Sequence, residues 1–142
     1  MSFSSEIKEE ILNNFAREKS IVDIKAENFG EELSKAATKM ELLEEFSEFF
    51  DISNLNEDII KSILKGTFLS SGCIVDPNID YHFEVTFRTK SCADYFFNLL
   101  SLLEFMPKLI KRKKTNLYTI YFKESEQVSY FLSLVGASLS LL

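Results

Sequence analysis

Apolar residues recur at three- and four-residue steps through the first seventy positions, and at two-residue steps only near residues 81–88 and 118–123. The first spacing is that of one helix face, the second that of one sheet face. Ser4 and Ser5 are placed to cap a helix that carries Glu6 in its first turn and Ile7, Ile11 and Phe15 on one face. A second helix is expected from near Gly30, with Leu33, Ala37, Met40, Leu43, Phe46 and Phe50 as its apolar stripe. A third opens at Asn56, Glu57 and Asp58, where acids suit the positive end of the helix dipole, and runs through Ile59, Ile60, Ile63, Leu64 and Phe68 to Gly72.

The sequence DPNID at 76–80 has turn composition, and it separates CIV from YHFEVTFR. In the second of these, Tyr81, Phe83, Val85 and Phe87 share one face, while His82, Glu84, Thr86 and Arg88 share the other. Helical spacing resumes at Ser91 with Tyr95, Leu99, Leu102 and Leu103, and Pro107 ends it. Two further strands meet near Thr115 and Asn116; in the later one Tyr118, Ile120 and Phe122 alternate with Thr119, Tyr121 and Lys123. A last helix carries Val128, Phe131, Leu132 and Val135 and stops at Gly136. From residue 57 the order is αββαββα, an α+β layer whose helices cover one side of a sheet and leave the other free.

Charge divides the chain. Residues 1–60 carry 15 acids against 6 bases, a net of −9, and residues 61–142 carry 7 against 10, a net of +3. The acidic helices are expected to present a solvated face, whereas the free sheet face carries His82, Thr86, Arg88, Thr119, Tyr121 and Lys123, with Lys108, Lys111, Arg112, Lys113 and Lys114 on the neighbouring hairpin. Such a surface suits duplex DNA, because lysines and arginines neutralise phosphates and release counterions. The competing explanation is that lysines keep a sheet edge from aggregating.

Other chemistry is thinly represented. With 2 cysteines and 1 histidine, neither a disulfide framework nor a zinc site is expected. There is no phosphate-binding glycine loop or nucleophile elbow. His82 is expected to be a polar face residue, and Cys73 a small apolar one packed near the hairpin. No segment approaches the ~20 apolar residues that span a bilayer, so no membrane partner is expected; the cysteine usage points to a reducing cytoplasm, and DNA binding would make the protein nucleoid-associated.

One stretch needs its own explanation. LKGTFLSSGCIVDP places Gly66 inside a helix, at a cost of roughly 1 kcal/mol relative to alanine. Gly66 and Ser70 lie on one helical face and leave room for a second backbone. That backbone could belong to another copy or to this protein's own sheet or N-terminal helices.

LKGTFLSSGCIVDP, YHFEVTF and KLIKRKKTNLYTIYFKESEQVSYFLSLVGA together resemble the second half of the LAGLIDADG-like region of the WhiA family, and MSFSSEIKEE resembles the start of that family. The resemblance covers residues 1 to about 12 and about 57 to 142. It implies a fold related to LAGLIDADG homing endonucleases, DNA binding, and a part in transcription linked to sporulation, cell division and chromosome segregation. The family usually has two αββαββα repeats followed by a helix-turn-helix. Here residues 13–56 are too short and too helical for the first repeat, and no helix-turn-helix is expected after Leu142.

The expected organisation is therefore an acidic helical extension at 1–55 and a single LAGLIDADG-type αββαββα unit at 56–142. Its missing twin helix suggests a homodimer through Ile63, Gly66, Thr67 and Ser70. Aligned with nuclease relatives, Ser71 stands where an acid would hold a divalent metal, so no catalytic residue, metal or cofactor is expected. Asp76 is explained by turn chemistry. The expected partners are double-stranded DNA, a second copy and other proteins. The alternative function is a protein-interaction and dimerisation module with no DNA binding of its own.

Overall fold

The computed structural model describes residues 2–13, 20–75 and 80–137. Phe15, Asp76 and most of the DPNID turn lie outside the described residues. Helix α1 (Phe3–Asn13), α2 (Ile21–Leu33), α3 (Lys39–Phe46) and two 3₁₀ turns (Ser47–Phe49, Ile52–Asn54) precede α4 (Glu57–Ser71). Then come β1 (Gly72–Val75), β2 (His82–Phe87), α5 (Lys90–Leu102), β3 (Lys108–Lys111), β4 (Tyr118–Phe122) and α6 (Ser125–Leu134). The expected αββαββα order is present from residue 57.

The caps explain the helix boundaries. Asn56 accepts a hydrogen bond from Ile59 N at the start of α4, and Thr89 does the same for Cys92 N at the start of α5. The first helix is capped by Ser2, whose Oγ accepts from Ser5 N, rather than by the Ser4–Ser5 pair. The single long helix expected from Gly30 to Phe50 is two helices. Gly30 lies within α2, which starts at the Ser20 cap, while Thr38 starts α3 by accepting from Glu41 N. Met40 consequently points outward and is 71% exposed.

The four strands form one antiparallel sheet in the order β1-β2-β4-β3. Its helix-facing side buries Ile74, Phe83, Val85, Phe87, Ile120 and Phe122. Phe83 stacks on Phe122 at 4.4 Å and meets Phe131 of α6 at 4.4 Å, with Phe68 of α4 6.0 Å away. The N-terminal helices extend this core instead of repeating the sheet. Phe29 of α2 is ringed by Phe46, Phe49, Phe50 and Tyr95 at 5.2 to 5.4 Å. Helix α1 lies along β1, and Ser4 Oγ accepts from the Ile74 amide at 3.3 Å, so this strand is covered. At the other end, Asn116 turns the β3–β4 connection with φ +58, a conformation that asparagine tolerates. Cys73 is exposed rather than packed, because its position in β1 faces away from the helices; Cys92 is buried.

Tyr95 of α5 belongs to the second of these aromatic groups, against Phe29 and Phe50. It is buried, and its hydroxyl donates to the Phe49 carbonyl at 2.6 Å. Tyr95→Phe should cost about 1–3 kcal/mol in urea denaturation, because the carbonyl loses its partner without gaining water. Burial also raises the Tyr95 pKa above its ordinary value. The unfolded chain ionises this phenol near pH 10 while the folded chain does not, so its stabilising contribution is present below about pH 10 and declines above it. A urea titration at rising pH should show that alkaline loss in the wild type, and a smaller one in Tyr95→Phe.

Candidate nucleic-acid interface and the paired-helix seam

The central geometric fact is the contact between α2 and α4. A Cβ added at Gly66 would collide with the Glu27 carbonyl, lying 2.9 Å from its carbon; one added at Gly30 would collide with the Ile63 carbonyl and lie 2.9 Å from Thr67 N. Each glycine thus faces the residue three positions before the other, so the helices cross with local two-fold correspondence. Only glycine permits backbones to touch in this way. Thr67, fully buried, donates to the carbonyl of Gly30 at 3.0 Å, and Ser70 donates to that of Glu31 at 3.0 Å. Lys65 pairs with Glu27 across the seam at 3.5 Å.

The residues expected at a dimer interface lie in this seam. Gly66, Thr67 and Ser70 bond or touch α2 of the same chain, and the Ile63 backbone carbonyl lies against Gly30. The second backbone is internal. A sequence signal for it exists in Gly-x-x-Leu-Ser, which occurs at 30–34 and again at 66–70.

The seam ends in hydroxyls. Ser34 and Ser71 are hydrogen-bonded through their Oγ atoms, and Ser71 is 3.2 Å from Ser70 Oγ. Arg88 closes the end of α2, its amide donating to Ser34 O and its guanidinium to Lys35 O, both at 3.2 Å. This cation suits the negative end of a helix dipole. Among the described residues no three His, Cys, Asp or Glu side chains gather as metal ligands.

Strand register assigns the predicted DNA contacts to places. On the open face, β2 presents His82, Glu84 and Thr86; β4 presents Thr119 and Tyr121; β3 presents Lys108 and Ile110. His82 and Tyr121 stack at 6.0 Å. Arg112 lies across this face, its Nε donating to Thr119 Oγ1 at 3.2 Å. Thr119 is 1% exposed and bonded to Thr86, so it supports the surface rather than contacting anything beyond it. Lys113, Lys114 and Lys123 are exposed on the turn and at the end of β4.

Two predicted residues are placed elsewhere. Lys111 pairs in register with Tyr118, on the helix-facing side at the sheet edge, and its ammonium sits 5.8 Å from the Tyr118 ring. Arg88 is committed to α2. Conversely, Glu84 belongs to the face but is acidic: it meets His82 Nε2 at 3.2 Å and Arg112 Nη2 at 3.5 Å. Its place was visible in the alternation of β2; of its partners, His82 shares that strand and Arg112 comes from the other hairpin.

Two glycine-paired helices set against a four-stranded antiparallel sheet, with one sheet face open, define an α+β scaffold of the LAGLIDADG class. A family model described as the WhiA LAGLIDADG-like domain matches residues 60–142, and the chain belongs to that family. The probable cell division protein WhiA of Caldicellulosiruptor saccharolyticus is 37% identical over 95 residues, covering 63% of this chain and 29% of that protein. The Carboxydothermus hydrogenoformans protein of the same description is 38% identical over 112 residues, covering 72% and 35%. The chain thus spans about a third or less of these relatives' length. The crystal structure of the N-terminal LAGLIDADG domain of DUF199/WhiA superposes with a TM-score of 0.76 at 21% identity, over 99% of this chain and 95% of that one. The shared fold therefore includes α1–α3, beyond the reach of the sequence family model.

Gly66→Ala and Gly30→Ala should each lower stability by at least about 1–3 kcal/mol in urea denaturation, since the obstructing atoms are backbone and cannot rotate away. Gly136→Ala, at φ +92 with no atom within 4 Å of the added Cβ, should cost only about 1 kcal/mol.

Proposed function

We propose that this chain is a non-catalytic regulatory domain that grips duplex DNA through its open sheet face and the β3–β4 turn. The observation that carries this reading is the concentration of exposed cations there. Lys108, Lys113, Lys114 and Lys123 are all exposed, and Glu84 is the one carboxylate that the strands set on the open face among the described residues. Phosphates would be drawn to the sheet and repelled by the helices, so approach is directional. A regulatory role in cell division is inferred from the names of the relatives. Association with the nucleoid follows from the proposed binding, and among the described residues no helix is long and apolar enough to cross a membrane.

The non-catalytic reading rests on the seam. Ser71, which the family resemblance aligns with the nuclease acid, is hydrogen-bonded to Ser34 and lies 3.2 Å from Ser70 Oγ, and a neutral hydroxyl does not replace the carboxylate that magnesium favours. We also infer that the active unit is a monomer and that residues 2–55 are a reduced first half of one domain. The helix that a second copy would have supplied is α2, and the hydrophobic core runs without a break from Ile7 and Phe29 to Phe131.

A second reading is a protein-interaction module without DNA binding. The groove between α2 and α3 favours it, being lined by Glu31, Glu32, Glu41 and Glu45 over Ala36, Leu42 and Phe46. Fluorescence anisotropy with a labelled duplex at stepped salt concentrations separates the two. The DNA reading predicts affinity that falls steeply with salt, by a log–log slope of about −0.9 per phosphate neutralised. Lys113→Ala and Lys114→Ala should weaken binding to all sequences alike and each reduce the slope by about 1, while Lys111→Ala should change little. No binding at low salt would overturn the DNA reading and favour the interaction module.

A further inference from the structure

Glu84 is the one acidic side chain that the strands place on the open face among the described residues. A carboxylate there repels phosphates, so a surface that merely gripped DNA would gain by losing it. It is nevertheless held in a defined position. Its Oε1 lies 3.2 Å from His82 Nε2, and its Oε2 lies 3.5 Å from Arg112 Nη2. Arg112 is itself fixed by Thr119, which is bonded to Thr86 at 2.9 Å. Both charged side chains remain reachable, Glu84 at 30% exposure and Arg112 at 49%. A guanidinium and a carboxylate thus stand side by side, with outward hydrogen-bonding capacity left on each.

We propose that Arg112 and Glu84 form a couplet that reads a G·C base pair through the major groove. This deepens the DNA-binding reading above and rests on it. The edge of a G·C pair offers two acceptors on guanine, N7 and O6, and then one donor on cytosine, the N4 amino group. Arg112 supplies donors for the guanine, and Glu84 supplies an acceptor for the cytosine. An A·T edge presents acceptor, donor, acceptor, followed by a methyl group. It would set the adenine amino group against the guanidinium and the thymine carbonyl against the carboxylate. Glu84 then weakens non-selective attraction while rejecting the wrong base, which a purely cationic face cannot do.

The test is selection of bound duplexes from a pool randomised at its central positions, at one fixed low salt concentration, followed by sequencing. The wild type should enrich G·C over A·T about tenfold or more at one position. Glu84→Gln should bind the pool as tightly or more tightly, yet lose most of that enrichment. Arg112→Ala should lose both the preference and part of the affinity. Wild-type binding with flat base preference overturns the couplet and leaves the DNA-binding reading intact. So does a Glu84→Gln protein that tightens on every duplex with its preferences unchanged, since Glu84 would then act only as a repelling charge. If the wild type binds no duplex in the pool, both fail together.

Discussion

The touching backbones of α2 and α4 are the constraint on which the rest depends. Because neither Gly30 nor Gly66 has a Cβ, the helices cross closely enough for Thr67 and Ser70 to bond carbonyls of the opposite helix. That crossing orients α4, and α4 runs without a linker into β1, so the sheet inherits its position from the seam. Glycine's intrinsic penalty inside a helix is offset by buried hydrogen bonds and by apolar packing on either side.

The seam also explains how the chain does without a second sheet. In a symmetric arrangement each crossing helix would cover strands of its own half. Here, among the described residues, α2 buries Phe29 in an aromatic cluster built from α3, the first 3₁₀ turn and Tyr95 of α5. Four rings take over the burial that strands would otherwise supply, and the carboxylates of α2 and α3 stay outside them. Charge separation is a consequence: the helical half is acidic, and the hairpin of β3 and β4 is basic.

Much of this was legible in residue order. The αββαββα succession, the end of α4 before Gly72 and the alternation in β2 and β4 follow from local periodicity and caps, and the structure contains them. The partner of Gly66 was harder. Periodicity says that a face is small, not which backbone fills it, and Gly30 reads naturally as a boundary when it is an interior contact. The open face was legible as a polar stripe, but its internal pairing was not. Arg112 reaches Thr119 and Glu84 from a turn, and Lys111 points to the far side because the β3–β4 register places it opposite Tyr118. Register between strands is set by tertiary packing, which no single strand records.

The paired helices α2 and α4 belong to one chain in this structure. Molar mass by light scattering over a hundredfold range of protein concentration tests it most directly. A constant value near 16.4 kDa is the expected result. A mass near twice that, persisting on dilution and falling to that of one chain in a folded Gly66→Leu variant, would contradict it, because the glycine seam would then join two copies.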